Sequence, residues 1–299
     1  MTINRFLKLI KKTGCEFEEN KSIINLTSIK INTVAKAILF PDSLEKLISS
    51  LNILCDMQIP FVVVGRMSNV LFSDRIYNGV IVATTKLRGY SLAENKVDVL
   101  CGECPGKMAL GIAKSNLGGF EGIVGIPGTL GGMLRSNAGA YGSEISDRFF
   151  AATIYDLKAR EVHIYSKADM QFSYRTSILK DRAYVLLSAV FEPMEKSYNE
   201  IISTVSYNSE QRKRSQPTHL PSLGSVFKKC NGVSAGYYID RLGLKGYSIG
   251  DAQISEKHAG FIINRGNATA ADIISLVEFI KTRVNDAFGI ELEEEIEII

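Results

Sequence analysis

Apolar residues recur at helical intervals over residues 42–58, through Leu44, Leu47, Ile48, Leu51, Leu54 and Cys55, with Asp42 as the expected cap. Pro60 ends that helix, and Phe61-Val62-Val63-Val64 reads as a short buried strand stopping at Gly65. The loop Gly65-Arg66-Met67-Ser68-Asn69 thus follows a strand end, where ligands of α/β units usually sit. Residues 79–84 and 97–101 predict further strands, and 105–116 a helix. Beyond Ala151 the period becomes that of β-structure, with strands expected over 152–157, 161–165 and 184–191. A long, increasingly basic helix is predicted over 197–214, and 217–221 reads as a linker. The last segment is a compact α+β pattern, with a helix over 233–242 and a strand over 260–264. Thr269 and Asp272 open a helix carrying Ile273, Leu276, Ile280, Val284 and Phe288, and Gly289 closes it. Residues 290–299 predict a final strand with Ile290, Leu292, Ile296 and Ile298 on one face and Glu291, Glu293, Glu295 and Glu297 on the other.

Between the 105–116 helix and the β-rich region lies a run that fits neither period, Gly118-Gly119-Phe120-Glu121-Gly122-Ile123-Val124-Gly125-Ile126-Pro127-Gly128-Thr129-Leu130-Gly131-Gly132, continuing through Asn137-Ala138-Gly139-Ala140-Tyr141-Gly142. Glycine at this density marks backbone that turns tightly or approaches a ligand so closely that no side chain fits between. Bare N–H groups in such a gap suit a phosphate or pyrophosphate. The spacing is neither Gly-x-Gly-x-x-Gly nor a P-loop, which argues against a Rossmann domain and a P-loop ATPase. Ile123, Val124, Ile126, Leu130 and Met133 interleave the glycines, so a packed loop is expected rather than a surface turn.

Composition narrows this reading. At 299 residues, two or three subdomains are expected. A net charge of +3 is too small for general nucleic-acid binding but leaves room for a local basic patch. No apolar run has the length of a bilayer span, and residues 1–12 do not read as a signal peptide, so a cytoplasmic protein with reduced thiols is expected. Cys101-Gly102-Glu103-Cys104 has no second ligand pair, and His163, His219 and His258 show no ligand spacing, so no metal site is expected.

Four clusters can carry chemistry: the Gly65–Asn69 loop, the glycine run with Asn137, Phe172-Ser173-Tyr174-Arg175-Thr176-Ser177, and Leu223-Gly224-Ser225-Val226-Phe227-Lys228-Lys229. On residue type alone, Arg175 reads as a surface arginine, Ser225 as a turn serine and Glu295 as part of a solvated strand face. Taken together and in this order, the clusters resemble the UDP-N-acetylenolpyruvoylglucosamine reductase (MurB) family of flavoenzymes. The resemblance runs from about Thr27 to the C-terminus. Residues 125–132 with 137–142 match the flavin-loop signature. Tyr174-Arg175-x-Ser177 and Gly224-Ser225-x-Phe227-Lys228 match the two catalytic-segment motifs. Ala235-Gly236-Tyr237, Gly243-Leu244-Lys245-Gly246, Ser255-Glu256-Lys257-His258 and Ala268-Thr269-Ala270-x-Asp272 match the C-terminal domain.

The resemblance implies an α+β protein whose FAD-binding fold is of the vanillyl-alcohol-oxidase (PCMH) type. Two subdomains would occupy 1–194, dividing near 75–80, and a C-terminal substrate-binding domain 195–299. It implies non-covalent FAD, NADPH as co-substrate, and reduction of the enolpyruvyl ether of UDP-N-acetylglucosamine to UDP-N-acetylmuramate. It implies small-molecule partners only, with no nucleic acid or membrane, and a monomer. Arg175 would stabilise the developing enolate, Ser225 would donate the proton, and Glu295, within Leu292-Glu293-Glu294-Glu295, would polarise the substrate carboxylate region or act as a protonated acid. Cofactor contacts would come from Gly65, Arg66, Met67, Ser68, Asn69, Gly125, Ile126, Pro127, Gly128, Gly131, Gly132, Asn137 and Gly139, and substrate contacts from Tyr174, Lys228 and Arg214. Met67 stands where the family usually has a small residue; a positive φ there would cost strain. Cys230 replaces a common proline, and no insertion separates the Arg175 and Ser225 segments, as in the shorter subtype. Two other readings, a flavin oxidase of the same superfold and a silent nucleotide-binding paralogue, retain less support: no histidine lies in the glycine run, and all three residues expected to carry chemistry are present.

Overall fold

The computed structural model describes residues 2–299. They form two compact units, each assembled from separate stretches of chain: 2–21, 35–66 and 78–209 in the first, 22–34, 67–77 and 210–299 in the second. The division falls inside the helix Tyr198–Ser215, which runs through it without a Pro or Gly to mark the boundary.

In the first unit the helix Leu44–Asp56 buries Leu47, Leu51 and Leu54, as its apolar period requires. Its cap is Ser43, not Asp42: Ser43 is extended (φ −140°) and its hydroxyl accepts from the Lys46 amide at 3.2 Å. Asp42 instead pairs with the Lys46 ammonium at 2.8 Å. Beyond it, Phe61–Val64 joins a four-strand sheet ordered Glu16–Ser22, Val34–Phe40, Ile76–Ala83, Phe61–Val64, the last two parallel. A five-strand antiparallel sheet follows, ordered Glu161–Ser166, Phe149–Asp156, Tyr184–Phe191, Lys96–Leu100, Tyr90–Ala93. One continuous core runs through Leu39, Leu51, Val80, Val99, Met108, Leu130, Ile154 and Phe191.

The turn after Lys96–Leu100 fixes where the glycine run starts. Gly102 lies so close to neighbouring backbone that a Cβ would stand 1.9 Å from the Thr84 carbonyl oxygen and 2.7 Å from that of Leu87. Both obstacles are main chain and cannot swing aside. Gly102→Ala should therefore cost about 3 kcal/mol by overpacking. The check is a fall of several degrees in the thermal midpoint, and an unchanged midpoint would contradict this packing.

In the second unit an antiparallel sheet ordered Ser222–Ser225, Phe261–Asn264, Ala252–Ile254, Ser248–Ile249 packs with the helices Ala235–Arg241 and Ala270–Phe288. The long helix begins with the expected capping box, Thr269 bonding the Asp272 amide and Asp272 the Thr269 amide, and ends at Gly289 with φ +66°. Ile273, Leu276, Ile280 and Val284 meet Ile254, Ile262, Leu292 and Ile296 in its core. Among the described residues no helix is long and apolar enough to cross a membrane.

The C-terminal strand departs from the alternation. Only Glu297–Ile298 forms a ladder, parallel to Val70–Leu71, and Ile298 is 42% exposed. Leu292 and Ile296 are buried as expected. Between them the chain leaves regular pairing: Glu294 makes a single antiparallel bridge to Phe227, and Val226 accepts from the Glu295 amide.

Candidate active site

The first unit contributes a glycine-lined cradle. A Cβ on Gly65, at the end of its strand, would lie 2.0 Å from Thr129 Oγ1, so only glycine leaves that hydroxyl its space. Thr129 is 1% exposed and its hydroxyl has no hydrogen-bond partner. Leaving a buried hydroxyl unpaired costs about 1–3 kcal/mol, a penalty that a ligand's polar group would remove. Gly125 and Gly128 adopt φ of +86° and +152°, which side chains strongly disfavour. The short helix Leu130–Arg135 follows, and the preceding corner takes its first amides: Leu130 N–H donates to the Glu103 carbonyl and Gly131 N–H to that of Cys101, both at 2.9 Å. An anion-facing role for bare amides therefore narrows to the stretch before this helix. Glu103 braces the corner, its buried carboxylate accepting from the Gly89 and Cys104 amides at 2.9 and 2.8 Å.

Asn137, buried and at φ +39°, turns its side chain inward. Its Nδ2 donates to Glu144 Oε2 at 2.7 Å and to the Ser173 carbonyl at 3.2 Å, while its Oδ1 accepts from the Ser146 amide at 3.3 Å. Gly139 pairs with Glu144, and a Cβ there would meet the Ser143 carbonyl at 2.2 Å. These contacts bring the Tyr174-Arg175 segment onto the run. Arg175 sits in the left-handed region at φ +57°, its guanidinium donating to the Gly139 carbonyl at 3.2 Å and lying 5.1 Å from the centre of the Tyr174 ring. A non-glycine residue there stores roughly 1–2 kcal/mol of strain. Such strain concentrates at functional sites.

The second unit brings Ser225 beside Glu295. Ser225 ends its strand at a bulge: Ser222 pairs with Ile263 and Ser225 with Phe261, and the extra residue is absorbed with Gly224 at φ +78°. Such a bulge re-aims the side chain that follows it. The next residue, Val226, accepts from the Glu295 amide at 2.7 Å, and the Glu295 carbonyl accepts from Asn69 Nδ2 at 2.8 Å. Asn69 also accepts from the Glu297 amide at 2.9 Å, so the loop residue, the serine segment and the glutamate share one hydrogen-bonded frame. Lys228 donates its amide to the Glu293 carbonyl at 2.9 Å and its ammonium to the Glu293 carboxylate. Met67 has the positive φ that makes this position suit a small residue (+47°) and is 4% exposed. About 1 kcal/mol of strain opposes roughly 2 kcal/mol from burying the thioether side chain, so burial wins.

The remaining predicted residues lie at the margins. Arg66, Gly132 and Pro127 are exposed, Ser68 and Ile126 half-buried, and Tyr174 presents much of its ring to solvent. Arg214 occupies the exposed last turn of its helix and pairs with Glu210 at 3.6 Å. Burial pushes the Cys101 thiol up to about 12, so it is inert at neutral pH. Burial also lowers His258, whose Nδ1 accepts from the Gly260 amide at 3.1 Å and is therefore held neutral. Among the described residues no group of three or more His, Cys, Asp or Glu could hold a metal ion. Sequence reasoning passed over Thr129 and Glu103. Thr129 had a signal, as a lone hydroxyl among glycines; Glu103 had none, since a glutamate beside two cysteines reads as surface.

An orphaned buried hydroxyl facing a glycine, inside a two-sheet α+β unit, fits a dinucleotide bound along backbone. Residues 35–164 match the model of the FAD-binding domain, and 216–299 that of the UDP-N-acetylenolpyruvoylglucosamine reductase C-terminal domain. The fold and cradle are thus those of an FAD-dependent oxidoreductase of PCMH type. A solved berberine bridge enzyme from Eschscholzia californica shares that fold at TM-score 0.50, with 13% identity over 63% of this chain and 43% of that one. The chain belongs to the UDP-N-acetylenolpyruvoylglucosamine reductase family, the flavoenzymes of peptidoglycan precursor synthesis. It is 42% identical to the reductase of Caldicellulosiruptor bescii over 98% of this chain and 94% of that one, and 38% identical to that of Petrotoga mobilis over 99% of each. The solved reductase from Thermus caldophilus superposes at TM-score 0.80, with 28% identity over 95% of this chain and 98% of its own.

Proposed function

We propose that the protein is a UDP-N-acetylmuramate dehydrogenase, reducing the enolpyruvyl ether of UDP-N-acetylglucosamine to the lactyl ether with NADPH as donor. The observation carrying this reading is the placement of Ser225 beside Glu295, whose amide bonds to the residue next to the serine. The chemistry FAD supplies when bound is two-electron transfer, accepting hydride from NADPH and delivering it from N5 to the terminal enol carbon. Gly65, Gly125, Gly128 and Thr129 would hold the cofactor in the first unit, and the buried Thr129 hydroxyl, which has no partner within the protein, would be free to hydrogen-bond it. No histidine or cysteine lies within 118–142, which supports non-covalent binding.

Arriving hydride fills the terminal carbon of the double bond and pushes the π electrons onto the ether-bearing carbon and its carboxylate as an enolate. Arg175, fixed over the glycine run, offsets that charge with a guanidinium that cannot deprotonate. Ser225 O–H then protonates the ether-bearing carbon, forming C–H and leaving an alkoxide that solvent reprotonates. Glu295, as a protonated acid, polarises the substrate carboxylate region, with Lys228 and Tyr174 adding contacts. Over the cycle one hydride and one proton enter the substrate and NADP+ leaves. Under this reading the enzyme works as a cytoplasmic monomer, with the first unit serving the flavin and residues 210–299 of the second the substrate.

An anaerobic two-step absorbance experiment tests this. NADPH should bleach the flavin band and the UDP-N-acetylglucosamine enolpyruvyl ether should restore it. Recovery with oxygen alone would point to an oxidase instead. A protein that takes up no flavin when FAD is added would sink the reading.

A further inference from the structure

Three glutamates stand in a row at 293–295, and the function proposed above uses only the last. A slip of one residue at the Phe227 bridge would present Glu294 in its place. Glu294 also has the parity of Leu292 and Ile296, both buried, and an ionised side chain turned that way needs a partner. Its partner is Lys281, half-buried beside Ile280 on the long helix; the ammonium bonds Glu294 Oε1 at 2.8 Å. The pair is partly shielded, with side chains 32% and 27% exposed, and Lys281 reaches Glu278 only at 3.5 Å. On the other side of the strand Glu293 is held by Lys228. Each surplus glutamate is thus held by its own lysine, and Glu294 is tied to the long helix.

We propose that Lys281 is a positioning residue, which by capturing Glu294 fixes the register that sets Glu295 beside Ser225. The inference rests on the role given to Glu295. Ionic capture by a helix of the same unit adds to the bridge at Phe227–Glu294 and to the backbone bonds of Glu293 and Glu295 that align this stretch.

The test uses FAD-loaded enzyme reduced anaerobically with dithionite, then mixed with saturating UDP-N-acetylglucosamine enolpyruvyl ether while flavin reoxidation is followed. Lys281→Met should slow the saturating rate constant about fivefold, the change in population that a partly exposed ion pair controls. The dissociation constant of the ether should stay within about twofold, because such a pair orders the site rather than binds substrate. Lys281→Glu combined with Glu294→Lys should restore most of the rate, and Lys281→Arg nearly all of it. The thermal midpoints of the flavin-free proteins should not track the rates. A wild-type rate in Lys281→Met, or a charge-swapped enzyme as slow as the single variant, overturns the proposal. Glu295→Gln separates the two levels. If it reoxidises at the wild-type rate, the reading of Glu295 fails and the proposal with it. If it is slow while Lys281→Met is normal, only the role of Lys281 fails.

Discussion

Ser225→Ala is expected to leave flavin bleaching by NADPH within about twofold of wild type, because a proton donor to substrate takes no part in that half-reaction. Reoxidation by the enol ether should slow by a factor of about 10² to 10⁴, the range over which a placed general acid acts. Three observations separate this from a folding effect. Ser225 is half-buried at a strand end, and the bulge at Gly224 with the pairing to Phe261 is made by backbone that alanine retains. The Val226 carbonyl still accepts from Glu295. Removing one hydroxyl from such a position changes stability by roughly 0.5 kcal/mol. Single-turnover absorbance in each direction measures the two half-reactions separately. Equal loss in both would show that the serine supports the cofactor site rather than the proton transfer.

Much of this arrangement is legible before any coordinates, and the limits are physical. The Thr269-x-x-Asp272 box and Gly289 define the last helix because capping is local: every partner lies within four residues. The strand Phe61–Val64 is legible for the same reason, bounded by Pro60 and Gly65. At 290–299 the pattern misleads, because what breaks the strand is distant: Lys228, Lys281 and Val226 hold Glu293, Glu294 and Glu295 in turn, and no alternation encodes them. The assignment of 22–34 and 67–77 to the second unit is equally hidden, resting on pairings such as Glu297 with Val70 and Asn264 Nδ2 with the Ile29 carbonyl. For the proposed site, the family resemblance, not residue type or periodicity, points to Arg175, Ser225 and Glu295. It does not foretell that Asn137 spends its amide inside the loop, or that the 101–103 corner takes the first amides of the helix at Leu130. Capping at Leu44–Asp56 shows how fine the limit is: Asp42 and Ser43 are both good caps, and the choice turned on Asp42 having Lys46 as an ion-pair partner.

Arg175→Gly should dissociate function from stability more sharply than any other change in the first unit. Under the proposed mechanism, removing the guanidinium takes away the charge that meets the enolate, and loss of one such stabilising group costs about 10² to 10³ in rate. Stability, by contrast, is set by terms that nearly cancel. Glycine relieves about 1–2 kcal/mol of left-handed strain at φ +57°. Against this stand the bond to the Gly139 carbonyl, worth about 1 kcal/mol, and the contact with the half-exposed Tyr174 ring, worth about 0.5–1 kcal/mol. Greater freedom of the unfolded chain adds roughly 0.5–1 kcal/mol to the losses. The balance is a net loss of about 0–2 kcal/mol, so the thermal midpoint should fall by only a few degrees while substrate reduction collapses. Arg175→Lys is the companion: it keeps the charge and the strained φ but loses the planar fork, and should fall between wild type and glycine in rate. Calorimetry with single-turnover reoxidation of all three proteins decides the matter. If the glycine variant melts far below wild type, the arginine is a structural strut, and its strained backbone is held for the fold rather than for the reaction.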